Sequence, residues 1–111
     1  MNNFKTISHK ALRAKLDEKA EFVLLETTPA KEFKTGHLPG AKNLPIAGIE
    51  SRASKMIPSK ESRVVVYGTG SDSDVSEKAA KKLTSMGYTK VFRFAGGKTE
   101  WNAAKKPALT V

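Results

Sequence analysis

The chain has 111 residues, 39% hydrophobic and 28% charged, which fits one small domain with a single core. No run approaches the ~20 apolar residues of a membrane-spanning helix, and the opening MNNFKTISHK has no apolar leader core, so cytoplasm is the default expectation. Cysteine is absent, which excludes disulfides, thiolate metal sites and thiol nucleophiles together, while 20 basic against 11 acidic residues give a net charge of +9 that favours acidic partners.

Ser8 is placed to cap a helix whose apolar positions Ala11, Leu12 and Leu16 share a face. FVLLE, residues 22–26, is a short apolar run suited to a buried strand. Pro29 suits the first turn of a following helix, with Phe33 as its inward anchor. TGHLPGAKNLP is punctuated by Gly36, Pro39, Gly40 and Pro45 and reads as a loop or very short strand. A weak helical period runs through Ile46, Ile49, Ala53 and Met56.

RVVVY, residues 63–67, is the clearest strand, its three consecutive valines pointing to burial on both faces as in a parallel sheet. A small-residue loop follows, then a helix with Val75, Ala79, Leu83 and Met86 on one side and Lys78, Lys81 and Lys82 on the other. Gly87 ends that helix. KVFRF is a further strand, and GGKTEWNAAKK is a turn and a short helix anchored by Trp101. Strands alternating with helices predict a parallel, three-layer α/β fold.

The order LLETTPAKEFKTGHLPGAKNLP, then VVVYG, AAKKLTSMGYTKVFRF and AGGKTEW, resembles the rhodanese-like domain along nearly the whole chain. EFKTGHLPGAKNLP, the AAKKL to GYTKV pair and GGKTEW are its most specific pieces. The resemblance implies one domain over residues 1–111, with a mostly parallel five-stranded sheet flanked by helices. Strands are implied near Ile7 and at residues 22–26, 42–44, 63–67 and 90–94. Enzymes of this family move sulfane sulfur from thiosulfate or a persulfide to a thiophilic acceptor. Their nucleophile is a cysteine directly after the fourth strand, which by position is Gly68 here. The loop that follows wraps around the sulfur with its backbone N–H groups inward, and the next helix aims its positive end at the site.

Two departures carry chemical weight. Persulfide chemistry needs a thiolate, and Gly68 has no side chain. Active relatives carry an Asp-x-Arg pattern after the second strand, where this chain has LLETT. Glu26 stands in for the acid, but Thr28 cannot replace the arginine's charge. The loop resembles that of a longer-looped subgroup, in which Ser73 falls where some members have a second cysteine.

The active-site-like loop is therefore Gly68, Thr69, Gly70, Ser71, Asp72, Ser73 and Asp74, with Glu26, Thr28 and His37 supporting it and no residue in a catalytic role. Gly68 and Gly70 permit positive φ and close ligand approach, and successive N–H groups in such a turn form an anion nest. Asp72 and Asp74 oppose a second anion. Asp74 reads as an N-cap with Glu77 three residues later, a capping box that satisfies the cradle from within. The DSD run supplies too few oxygens for a divalent cation, so neither metal nor cofactor is expected. His37 reads as a structural histidine of its loop and His9 as a surface residue of the first helix, leaving Ser71 and Ser73 without an activating base. GTGSDS lacks the third glycine of a dinucleotide turn, and GGKT lacks the leading glycine of a phosphate-binding loop.

The leading expectation is a rhodanese-like binding or regulatory module without sulfurtransferase activity, whose partner is an acidic protein or a small anion. A sulfurtransferase-related enzyme is the alternative if Gly68 is engineered or compensated. Phosphatase or arsenate-reductase chemistry also needs a loop cysteine. A basic nucleic-acid-binding module is a third reading, against which stand scattered basic residues and an excess of lysine over arginine.

Overall fold

In the computed structural model, which describes residues 4–70 and 73–105, the three valines are buried between two helical layers. They lie on β4 (Arg63–Tyr67). Alternation along this strand divides the core: Val64 and Val66 join one cluster, Val65 and Tyr67 the other. Leu24 and Leu25 of β2 (Val23–Glu26) divide in the same way. Burial on both faces is why the sequence shows continuous apolar runs here rather than alternation.

The other strands are β1 (Lys5–Thr6), β3 (Lys42–Asn43) and β5 (Lys90–Phe94). The sheet order is β1-β5-β4-β2-β3, and every pairing is parallel. Ile7 extends the first strand's ladder by donating to the Arg93 carbonyl at 2.9 Å. Five strands stand where five were implied, two of them only two residues long.

Ala53 of α3 (Ile49–Met56) and Ala79, Ala80 and Leu83 of α4 (Val75–Ser85) cover the Val64/Val66 face. Leu12 of α1 (His9–Asp17) and Trp101 of α5 (Gly97–Lys105) cover the Val65/Tyr67 face, with Phe33 of the short α2 (Ala30–Lys34) packed against them. Ser8 caps α1 through a bond from the Ala11 amide at 3.0 Å. The packed stripe of α1 is Leu12 and Leu16, while Ala11 is exposed, a correction to the expected face. Pro29 stands one residue earlier than expected, at the N-cap of α2.

The weak period at 46–56 resolves into a 3₁₀ turn, Ile46–Gly48, running into α3. Gly87 has φ +103° and ends α4 as expected. Its amide donates to Thr84 O and the Tyr88 amide to Leu83 O, both at 3.1 Å, the paired bonds of a Schellman ending. Among the described residues no helix is long and apolar enough to cross a membrane.

Candidate functional site

β4 lies between β5 and β2, so its carboxyl end opens where successive connections leave toward opposite faces of the sheet. Ligands of open α/β sheets bind at such a point. The residue that ends the strand there is Gly68, which is buried. A Cβ built on it meets nothing closer than Ser76 N at 3.8 Å, Ser76 Cβ at 3.9 Å and Thr27 Oγ1 at 3.9 Å. These are ordinary contacts, so a Cβ is accommodated at this position. The Ser76 amide belongs to the first turn of α4, whose positive end thus lies against Gly68.

The turn is held from the other side by α5. Lys98 N donates to Gly68 O at 3.0 Å and Thr99 N to Thr69 O at 2.8 Å. Gly97, the first residue of α5, has φ +57°, and a Cβ there would stand 2.3 Å from Gly68 O. Only glycine permits this approach. Neither Gly68 nor Gly70 uses the positive φ expected of it. Gly70 is small for a packing reason: its Cβ would lie 3.0 Å from Thr99 Oγ1.

Ser71 and Asp72 lie outside the described residues. Ser73 donates its amide to Gly70 O at 3.1 Å, and its hydroxyl accepts from Val75 N at 3.4 Å. Asp74 occupies the N-cap position of α4 but makes no side-chain cap bond, which corrects the expected capping box. Its φ of −96° and ψ of 9° lie outside the extended region that lets a cap side chain curl onto its helix. The Asp74 carboxylate instead pairs with Lys78 at 3.5 Å and is largely exposed, while Glu77 pairs with Lys81 at 3.4 Å. The Asp74 carboxylate therefore turns to Lys78 rather than capping α4. Arg93 of β5 fastens the start of α4, donating Nε to Ser76 Oγ at 2.8 Å and Nη2 to Ser73 O at 3.3 Å.

Beside the turn, at the carboxyl end of β2, sits a buried polar network. Glu26 is 0% exposed. Its carboxylate accepts from Tyr67 Oη at 2.8 Å and from the Thr28 hydroxyl, and pairs with Lys98 Nζ at 2.9 Å. Lys98 Nζ also donates to Glu32 O at 2.7 Å. Tyr67 Oη in turn accepts from Leu38 N at 3.1 Å. Burial pushes the Tyr67 phenol far above the ordinary tyrosine range, the Leu38 amide bond opposes this, and the Glu26 carboxylate adds to it. Thr28 brings no charge to Glu26; the charge comes from Lys98, on a different element.

His37 stacks on Phe33 with ring centroids 3.8 Å apart, and its Nδ1 donates to Phe33 O at 3.1 Å. It lines a small polar pocket of about 250 Å³ with Lys98 and Trp101. His9 is not the surface residue expected. Its ring is half-buried against Trp101 at 5.1 Å, and its Nε2 is buried with no partner among the described residues. No cluster of three metal-ligating side chains occurs among the described residues.

Lys98, Tyr67 and Arg93 are the residues that sequence reasoning missed. One signal was available for Lys98: a carboxylate at the end of a buried strand, with threonine where a cation is usual, demands a cation from another element.

Parallel five-stranded architecture, a backbone turn after the fourth strand and a helix start aimed at its first residue define an open α/β domain with a site at the end of its central strand. The rhodanese-like domain family matches residues 8–104, and the chain belongs to that family. It is 25% identical over 86% of its length to a putative sulfur carrier protein, YrkF, of Bacillus subtilis, and covers 49% of that protein. Among solved structures, thiosulfate sulfurtransferase from Pseudomonas aeruginosa superposes with a TM-score of 0.82 at 25% identity, over 92% of this chain and 19% of that one. The human single-domain sulfurtransferase TSTD1 superposes with a TM-score of 0.80 at 26% identity, over 91% of this chain and 97% of that one. The chain thus spans about half of YrkF and a smaller part of the Pseudomonas enzyme. As a member of this family it lacks the catalytic cysteine, since the sequence contains none.

Proposed function

We propose that this chain is a single rhodanese-like module that binds without performing thiol-based sulfur transfer, and that its 68–74 turn is an anion-binding cradle left without a nucleophile. The observation that carries this is the buried, side-chain-free Gly68 at the end of β4, with the first turn of α4 against it. Sulfur transfer through a persulfide forms an S–S bond to a cysteine, and no residue type here replaces the thiolate. The kinship to sulfurtransferases and a sulfur carrier protein supports a sulfur oxyanion, or an acidic protein that delivers one, as the ligand. The net charge of +9 favours either. Cytoplasm is the compartment proposed.

Titration of the chain with thiosulfate, sulfide, phosphate and arsenate tests this, with backbone amide shifts as the readout. Movement of Gly68, Thr69 and Gly70 at millimolar ligand is expected; no movement with any of the four overturns the anion cradle. Robust sulfur transfer by the unaltered chain, free of contaminants, overturns the loss of activity.

A second reading, a sulfurtransferase in which Gly68 replaces a native cysteine, is favoured by one observation: a Cβ at Gly68 meets no neighbour closer than 3.8 Å. The codon at position 68 in the source gene decides it.

A further inference from the structure

We propose that Lys98 is the positioning residue of the 68–70 turn: its side chain answers the buried charge of Glu26 while its backbone holds the carbonyl of Gly68. The proposal rests on reading that turn as the ligand site, yet its geometry is measurable without a ligand.

A carboxylate removed from water must be paired or neutralised. Among the described residues, three groups approach the 0% exposed Glu26, and of these Lys98 carries the charge. Its side chain is 14% exposed, so this is not a solvated surface lysine. A lysine in the first turn of a helix also stands against the helix dipole and is held there by a countercharge. Glu26 is that countercharge, and the bond from Nζ to Glu32 O fixes the ammonium between β2 and α2.

The same residue donates its amide to Gly68 O, and its neighbour Thr99 donates to Thr69 O. Gly97, directly before it, lets the turn approach α5 more closely than a Cβ would allow. One residue therefore links the buried carboxylate to the cradle, and a displaced Lys98 displaces two successive carbonyls of the turn.

Thr28 provides the means to separate charge pairing from positioning. Its hydroxyl already reaches the Glu26 carboxylate, so an arginine at 28 starts beside that group. Such an arginine restores charge but has no covalent link to α5.

The test compares the full chain with Lys98→Met, Lys98→Arg and the double variant Thr28→Arg/Lys98→Met. Urea midpoints are read beside hydrogen exchange at the position-98 and Thr99 amides and the shifts of Gly68, Thr69 and Gly70. In Lys98→Met the urea midpoint should fall, and the two amides should exchange about tenfold faster than global unfolding accounts for. The double variant should recover the midpoint while the amides stay fast and the turn shifts stay displaced. Lys98→Arg should recover both. Unmoved turn shifts in Lys98→Met, or full recovery of the turn in the double variant, would overturn the proposal. Should Lys98→Met not fold, the double variant and Lys98→Arg still decide between the outcomes. A parent chain whose amides ignore all four anions counts against the cradle, while the exchange data still judge Lys98.

Discussion

Among the described residues, Glu26 and Lys98 form an ion pair whose carboxylate is fully buried and whose ammonium side chain is 14% exposed. Breaking such a pair by removing one partner leaves an uncompensated charge, so Lys98→Met should lose about 3 kcal/mol in urea denaturation. Glu26→Gln/Lys98→Met, which removes both charges, should regain most of it. Tyr67 gives a pH signature. Its folded-state pKa is raised, so the unfolded chain releases the phenolic proton first as pH rises. That stability is fully present below the unfolded value of about 10 and declines above it. Thermal unfolding followed from pH 8 upward should show this alkaline decline in the parent and a weaker one in Tyr67→Phe. At this scale the sequence exposed Gly68 and Glu26, because a missing side chain and an acid ending an apolar run are visible in one dimension. The need for a cation beside Glu26 was legible, but which residue supplies it, and the role of Arg93, were not, because the sheet alone brings these partners together.

The elements were legible wherever burial imposed a period. β4, β5 and α4 stand where their residues predicted them, and the Gly87 ending follows from its positive φ. What failed was the detail at element ends. The Asp74 cap depended on the φ/ψ of one residue, and at the observed values the side chain turns to Lys78 instead. Asp74→Ala should therefore change stability by less than about 0.5 kcal/mol, as for an exposed ion pair, rather than the ~1 kcal/mol of a lost cap. Gly97→Ala should do far more. Its Cβ would meet Gly68 O at 2.3 Å from a left-handed backbone, so a loss of about 2 kcal/mol or more is expected, with shifted Gly68–Gly70 amides in the same sample. Equal losses for the two variants would contradict the clamp that α5 makes on the turn.

At the scale of the whole molecule, the strand order brings β4 to the sheet centre with β2 and β5 beside it. That order places Gly68, the Glu26 network and the first turn of α5 together at one end of the sheet. The family scaffold is kept, with room for a Cβ at Gly68, while the sequence holds no cysteine. The parallel sheet was legible from its continuous apolar runs, and the excess of positive charge from composition. The partner was not, because scattered lysines define no single face. The most direct measurement is thiosulfate-to-cyanide sulfur transfer by the chain beside its Gly68→Cys variant, with folding of both checked. Turnover by the variant alone is the predicted result, and it means the cradle survives and the missing cysteine silences it. Turnover by the unaltered chain, or a folded variant whose thiol is inert to thiosulfate, would contradict the account.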